Sequence, residues 1–420
     1  MSYIKCDIFP NEQGLKTYLF GFNIFILFVF LGCKTTRENQ NVVLLEAESF
    51  DISSDSNALK NEKVLLSEGH YLQYTIDIPT DGRYEIEVMA SSGKGSVWIE
   101  DYVDNTDDRV YNITGDIHFE TDRFQSKKKY GSPLAKGLHP IKVHAKNGDV
   151  QIDWIKFTLM IERDSISKVI QQKMSGDTWE LVWSDEFDGI GLPDTTKWTY
   201  NVGDWGWGNN ELQYYTKANS LNTRMEDGHL IIQAHKNNGE WTSARLTSQG
   251  KFSFQYGKIE FRAKVPHDRG TWAAGWMLGS AYVDELSWPY CGEIDILECV
   301  GYEINDSSTN GLNHATCHTR KYYFKQGNQI GSDTTLLDMT NTFHTYAVEW
   351  YPNVIYGLVD GKRYFVYDKN KDALEWPFNN PQDIILNLAI GGGWGGAKGL
   401  DSNMNSPKFI VDYVRVYDLK

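Results

Sequence analysis

The chain has 420 residues, a formal net charge of −15 and aromatic side chains at 14% of positions, with 14 Trp and 24 Tyr. That length calls for two or three domains. The charge argues against nucleic acid, an anionic membrane surface or a heavily sulfated polymer as partner, so a neutral polymer fits best.

Residues 18–32 are almost wholly apolar, with Lys5 and Lys16 ahead of them. The run is short for a membrane span and reads as a signal peptide. It ends Phe30-Leu31-Gly32-Cys33, which resembles a bacterial lipobox, whose Cys is lipidated after cleavage. Phe30 stands where that motif has an aliphatic residue; a plain signal peptide or an uncleaved anchor is the alternative. With 1–33 as leader, the polar residues 34–41 read as a tether. The expected location is the bacterial cell envelope, lipid-anchored, in the periplasm or on the outer-membrane surface.

Strand signals dominate the rest. Residues 71–78, 84–88 and 150–154 alternate apolar and polar, and Asp81-Gly82, Asn147-Gly148 and Asp360-Gly361 mark turns. The one stretch of helical character lies between Ser165 and Met174, so 161–176 reads as a linker or short helix. It separates a block at 42–160 from one at 177–420. Both have short strands at turn-spaced intervals, which predicts an all-β protein of two β-sandwich domains. The second is large enough for a β-jelly roll with a concave cleft. Cys291, Cys299 and Cys317 have no metal-ligand spacing and are expected as mostly buried thiols with at most one disulfide.

The central motif is Gly292-Glu-Ile-Asp-Ile-Leu-Glu298. Alternate side chains on a strand share a face, so Glu293 and Asp295 point one way while Ile294 and Ile296 point into the core. Strict alternation would bury Glu298 in hydrocarbon and expose Leu297, at high cost. A β-bulge at Ile296-Leu297 shifts the phase by one residue and puts all three acids on one face. The two Glu carboxyls could then lie roughly 5–6 Å apart, near the spacing used by retaining glycosidases. Asp295 between them would couple to both. An acidic outer strand face or a calcium site would show the same spacing. Stacked like charges destabilise a sheet, however, and call for a reason.

Residues 288–301, Trp-Pro-Tyr-Cys-Gly-Glu-Ile-Asp-Ile-Leu-Glu-Cys-Val-Gly, closely resemble the signature of glycoside hydrolase family sixteen in its bulged form. Further blocks follow in family order: 183–188, 207–216, 243–245, 256–260, 272–279, 344–350, 386–392 and 411–417. The resemblance implies a retaining mechanism with Glu293 as nucleophile, Glu298 as acid/base and Asp295 as the assisting acid. Within the family, block 207–216 and Trp288-Pro289 look like those of laminarinases. That implies endo-cleavage of β-1,3-glucan, with mixed-linkage β-glucan as a second substrate, and no cofactor for catalysis.

Other residues have two readings each. Trp205 and Trp207, flanked by Gly on a loop, suit sugar stacking or packing. Similarity to the family places Trp288 at the floor of the subsite beside the scissile bond. Trp276 is expected to face the cleft, with Trp272 undecided. Asn209, Glu211 and Arg245 suit sugar hydroxyls or loop bonding, and His318 suits Asp295, a substrate hydroxyl or a structural role. Glu186 and Asp412 resemble a pair that holds structural Ca²⁺ in relatives, and carboxylates suit that ion.

The first block begins Leu45-Glu-Ala-Glu-Ser-Phe50 and ends with 137–143 and 152–157, which look like a family six carbohydrate-binding module. The resemblance implies a second structural Ca²⁺ at Glu46, Glu48 and Asp153. The segment after Phe50 is short for that family, and Glu68-Gly-His-Tyr71 replaces its usual aromatic contacts, so a spacer role stands beside sugar binding. The expected partner is thus a neutral β-glucan, without nucleic acid, with a membrane met only through the lipid anchor, and with the chain as a monomer. The alternatives are a hydrolase of agarose, carrageenan or lichenan, a transglycosylase, and a non-catalytic glucan-binding protein, which would typically lack the acids.

Overall fold

A computed structural model of the chain describes residues 41–60, 63–101, 111–162 and 178–419. The expected leader, Cys33, the tether up to residue 40 and residues 163–176 of the linker lie outside the described residues. Among those described, the only helical segments are four three-residue 3-10 turns, and the architecture is all-β.

Residues 42–162 form ten antiparallel strands. Their spine is the 20-residue strand Gly82–Asp101. Its first half pairs with Val150–Glu162 and its second half with Gly137–Lys146. Register slips around Ser92 to Gly95 let this one strand serve both layers of a sandwich. The inward alternates Leu72, Tyr74, Ile76, Tyr84, Ile86, Ile141 and Val143 fill a single core, as period-two patterning requires.

Residues 179–419 form a two-sheet jelly roll. The outer sheet has eight strands, with Lys408–Leu419 between His229–Gln233 and Gly257–Lys264 and with Trp179–Asp185 paired along it. The cleft-lining sheet has seven, in the order Thr199–Tyr200, Arg245–Thr247, Gln382–Ile390, Thr271–Gly279, Glu293–Val300, Gly311–His318 and Ile330–Leu336. Ile259, Phe261, Val348 and Val414 of the first sheet meet Ile294, Ile296, Leu297 and Leu386 of the second in one core. The Gln382–Ile390 strand is buried along its whole length, which explains its nearly continuous apolar sequence.

Cys291, Cys299 and Cys317 are buried free thiols, and no disulfide forms among them. Gly292 leads the chain into the Glu293 strand at φ 81, and a Cβ there would lie 2.8 Å from Pro377 Cγ. Both the left-handed backbone and the close approach require glycine at this position.

Candidate active site

The bulge expected in the acidic strand is present. Asp295 pairs with Trp276 and Leu297 with Gly275, leaving Ile296 as the extra residue on that side. On the other side Asp295 opposes Thr316 and Glu298 opposes His314, again with one surplus residue. Ile296 and Leu297 are both fully buried, while Glu293, Asp295 and Glu298 line one cleft of about 650 Å³. The insertion turns two successive apolar side chains inward and restores the acids to the open face.

Each Glu accepts an indole hydrogen bond. Trp288 Nε1–H donates to Glu293 Oε2 at 2.9 Å, and Trp272 Nε1–H donates to Glu298 Oε1 at 3.2 Å. Burial pushes the Glu293 carboxyl up to about 7, against the opposing pull of the Trp288 bond and the Arg245 charge. Burial and then the charge of Glu293 push Glu298 up to about 8, and only Trp272 opposes this. Burial, then the charges of Glu298 and Glu293, raise Asp295 well above the usual carboxylate range. The Glu next to Arg245 is thus the easier to ionise, and Glu298 is the better proton donor. His318 Nε2 lies 3.5 Å from Asp295 Oδ2 and 3.9 Å from Glu293 Oε1. Burial lowers its pKa to about 4, so at neutral pH it is an uncharged neighbour rather than a counter-ion.

Aromatic walls surround the acids. Trp288 packs with Tyr323, Phe324 and His318 on the Glu293 side. Trp272 meets Trp394 edge-on, and Trp394 meets His314, on the Glu298 side. Trp205 and Trp207 pack with tilted rings 4.7 Å apart at the rim, where Trp205 is half exposed. The Arg245 guanidinium sits between Trp207 and Trp276, 4.8 and 4.7 Å from their rings. Trp276 also donates to Asn387 Oδ1 at 2.8 Å. Glu211 is enclosed by Asn209, Gln213 and Tyr215, so its carboxylate fixes the loop below the rim and leaves Arg245 and the indoles to meet a ligand.

All eleven residues expected at the cleft line it. Sequence reasoning left Trp272 undecided and missed Trp394, His314 and Asn387. Trp394 carried the signal that picked out Trp205 and Trp207, a Trp between glycines at 391–396. At the residues expected for calcium, Glu186 is paired with Arg415 in a two-pronged ion pair, and Asp412 with Arg262, with His229 nearby. Among the described residues, the one group of three or more candidate ligands within mutual reach is Glu293, Asp295 and His318, inside 4.8 Å. The same three residues line the sugar-sized cleft, where coupled carboxyls beside an uncharged His suit proton chemistry.

Paired carboxyls of split acidity inside an aromatic-walled cleft are the equipment of glycosidic bond cleavage. Comparison with known proteins agrees: residues 202–415 match the family described as Glycosyl hydrolases family 16. The chain belongs to that family. A β-glucanase of Rhodothermus marinus is 46% identical over 254 residues, covering 57% of this chain and 85% of the relative. The crystal structure of the laminarinase from Rhodothermus marinus aligns with a TM-score of 0.54 at 45% identity, covering 58% of this chain and 98% of that one. A non-specific endo-β-1,3(4)-glucanase co-crystallised with a glucan oligosaccharide aligns with a TM-score of 0.53 at 39% identity, covering 58% and 96%.

Proposed function

We propose that this glycoside hydrolase cleaves β-1,3-glucan chains internally, with mixed-linkage β-1,3/1,4-glucan as a further substrate, and retains configuration at the anomeric carbon. The observation that carries the reading is the bulged acid row with one indole donor on each Glu. In the first step the Glu293 carboxylate attacks the anomeric carbon as the bond to the glycosidic oxygen breaks, and Glu298 gives that oxygen its proton. A glycosyl ester on Glu293 results. In the second step Glu298, now ionised, takes a proton from water as the water oxygen displaces Glu293. Asp295 shares its proton with whichever Glu carries charge, which limits repulsion in the row.

The aromatic lining supports recognition of sugar faces. Arg245 and Lys325 are the only Lys or Arg among the described lining residues, a poor match to a sulfated polymer. The apolar leader and Cys33 support a lipid-anchored place in the bacterial cell envelope. The test is new reducing ends from laminarin, lichenan, agarose and κ-carrageenan, with Glu293→Gln beside the wild type. Release from laminarin, lost in the variant, is the expected result. Release from agarose or carrageenan alone would overturn the substrate, and binding of laminarin without cleavage would overturn the enzyme.

A further inference from the structure

Trp288 and Tyr290 flank Pro289 and point in opposite directions. Trp288 reaches into the cleft and onto Glu293, whereas Tyr290 is buried in the hydrophobic core of the 42–162 sandwich. The Tyr290 hydroxyl donates to Asp101 Oδ2 at 2.6 Å, across 189 residues of chain. Asp101 is fully buried and also bound by His139 Nδ1 at 3.0 Å, while His139 Nε2 lies 2.7 Å from the Ala135 carbonyl oxygen. Both ring nitrogens face acceptors, so the ring is held at both ends and the pair is a fixed anchor. Burial opposes a charge on His139, but the bonds to Asp101 and Ala135 outweigh it and its pKa is raised.

The same surface holds the rest of the loop. The Asn112 N–H donates to the Leu286 carbonyl at 3.2 Å, and Val283 Cγ1 lies 2.7 Å from where a Cβ would stand on Gly115. Tyr111 packs 5.7 Å from Tyr290 and lies under the Arg320 guanidinium at 4.6 Å. Arg320 follows His318 by two residues, and His318 is the register partner of Glu293. The sandwich therefore grips both chain segments that flank the Glu293–His318 pair.

We propose that the 42–162 sandwich is part of the catalytic apparatus, and that Tyr290 is a positioning residue that sets Trp288 on the nucleophile Glu293 through its anchor at Asp101. Ordering the loop in the free protein removes a cost that substrate binding would otherwise bear. This role rests on the nucleophile assignment given above and differs from sugar binding by the module. It explains why a buried polar anchor lies at a surface the cleft never touches.

The test compares Tyr290→Phe with Tyr74→Phe in the full-length protein. Tyr74 donates a buried hydrogen bond to the Ala47 carbonyl within the same sandwich, so its loss matches the stability effect without reaching the loop. In Tyr290→Phe, kcat on laminarin should fall by roughly 3- to 10-fold with KM nearly constant, the equivalent of one hydrogen bond. The acidic limb of the pH profile should move up, because the Trp288 bond favours the ionised Glu293. Asp295, Glu298, His318, Arg245 and Tyr282 share the cleft with Glu293, the Cys291 and Cys317 thiols are buried within reach of its charge, and all are unchanged in both variants. The ¹⁵N-indole resonance of Trp288, assigned with Trp288→Phe, should shift in Tyr290→Phe and stay in place in Tyr74→Phe. Wild-type kcat, limb and resonance in Tyr290→Phe would overturn the proposal, as would equal losses in both variants. If wild type leaves laminarin intact, the substrate reading fails. The indole resonance then decides the positioning role alone: a shift specific to Tyr290→Phe supports it and an unmoved one overturns it.

Discussion

The two sheets of the jelly roll treat the same residue types in opposite ways. On the outer sheet every acid named here has a base within reach: Glu186 with Arg415, Asp412 with Arg262, Glu349 with Arg363 and Glu260 with Lys258. The Arg415 hydrogen bonds hold Glu186 below the usual carboxylate range. On the cleft sheet, three acids stand in one row and, among the described residues, none forms an ion pair with Lys or Arg. Burial leads in raising all three. Alternation along a strand decides which face an acid occupies, but the side chains around it on that face decide whether it is a surface charge or a reagent.

Breaking the cleft side of this contrast should have the largest effect. Glu293→Gln keeps the size and the Trp288 hydrogen-bond acceptor but removes the attacking carboxylate. Turnover of laminarin should fall by more than about 10⁴-fold, as for loss of a covalent nucleophile. Glu298→Gln should cost about 10²- to 10⁴-fold on laminarin, the range for general acid–base assistance. An aryl β-glucoside with an acidic phenol needs no proton on its leaving oxygen, so its loss in the first step should be much smaller. Equal losses on both substrates, measured by initial rates and burst size, would mean that Glu298 does not donate the proton.

How much of this was legible in the sequence depends on how far apart the deciding residues lie. The acid row and its bulge were readable because the conflict between Leu297 and Glu298 sits inside seven residues, and burying a carboxylate is costly enough to force the phase shift. Gly-flanked Trp205 and Trp207 were readable because Gly-rich turns bury a large ring poorly. The partner of Trp272 was not readable, since it depends on which strand lies beside Thr271–Gly279 and in what register. The partners of Glu186 and Asp412 were hidden for a related reason. Glu186 and Asp412 look like free ligands along the chain, but strand pairing brings Arg415 and Arg262 onto them. The grip of Asp101 on Tyr290 spans 189 residues and leaves no local signature.

The comparison can be sharpened by stability against pH, where the two faces should carry opposite signs. Glu298 is raised in the folded state, so wild type loses stability as pH climbs from about 4.5 towards about 8. Replacing it by Gln removes that loss. The Tm of Glu298→Gln should exceed that of wild type at pH 8 by at least about 2 °C, and the gap should close by pH 4. Glu186 is lowered in the folded state, so its contribution is present above the usual carboxylate range and disappears as pH falls. Glu186→Gln should therefore cost stability at pH 7 and nothing once acid has protonated both states. The pair is partly open to solvent, which screens it to at most about 1 kcal/mol. A gap for Glu298→Gln that widened towards acid would mean that the cleft acids are stabilised as charges, and the contrast between the two sheets would fail at its source.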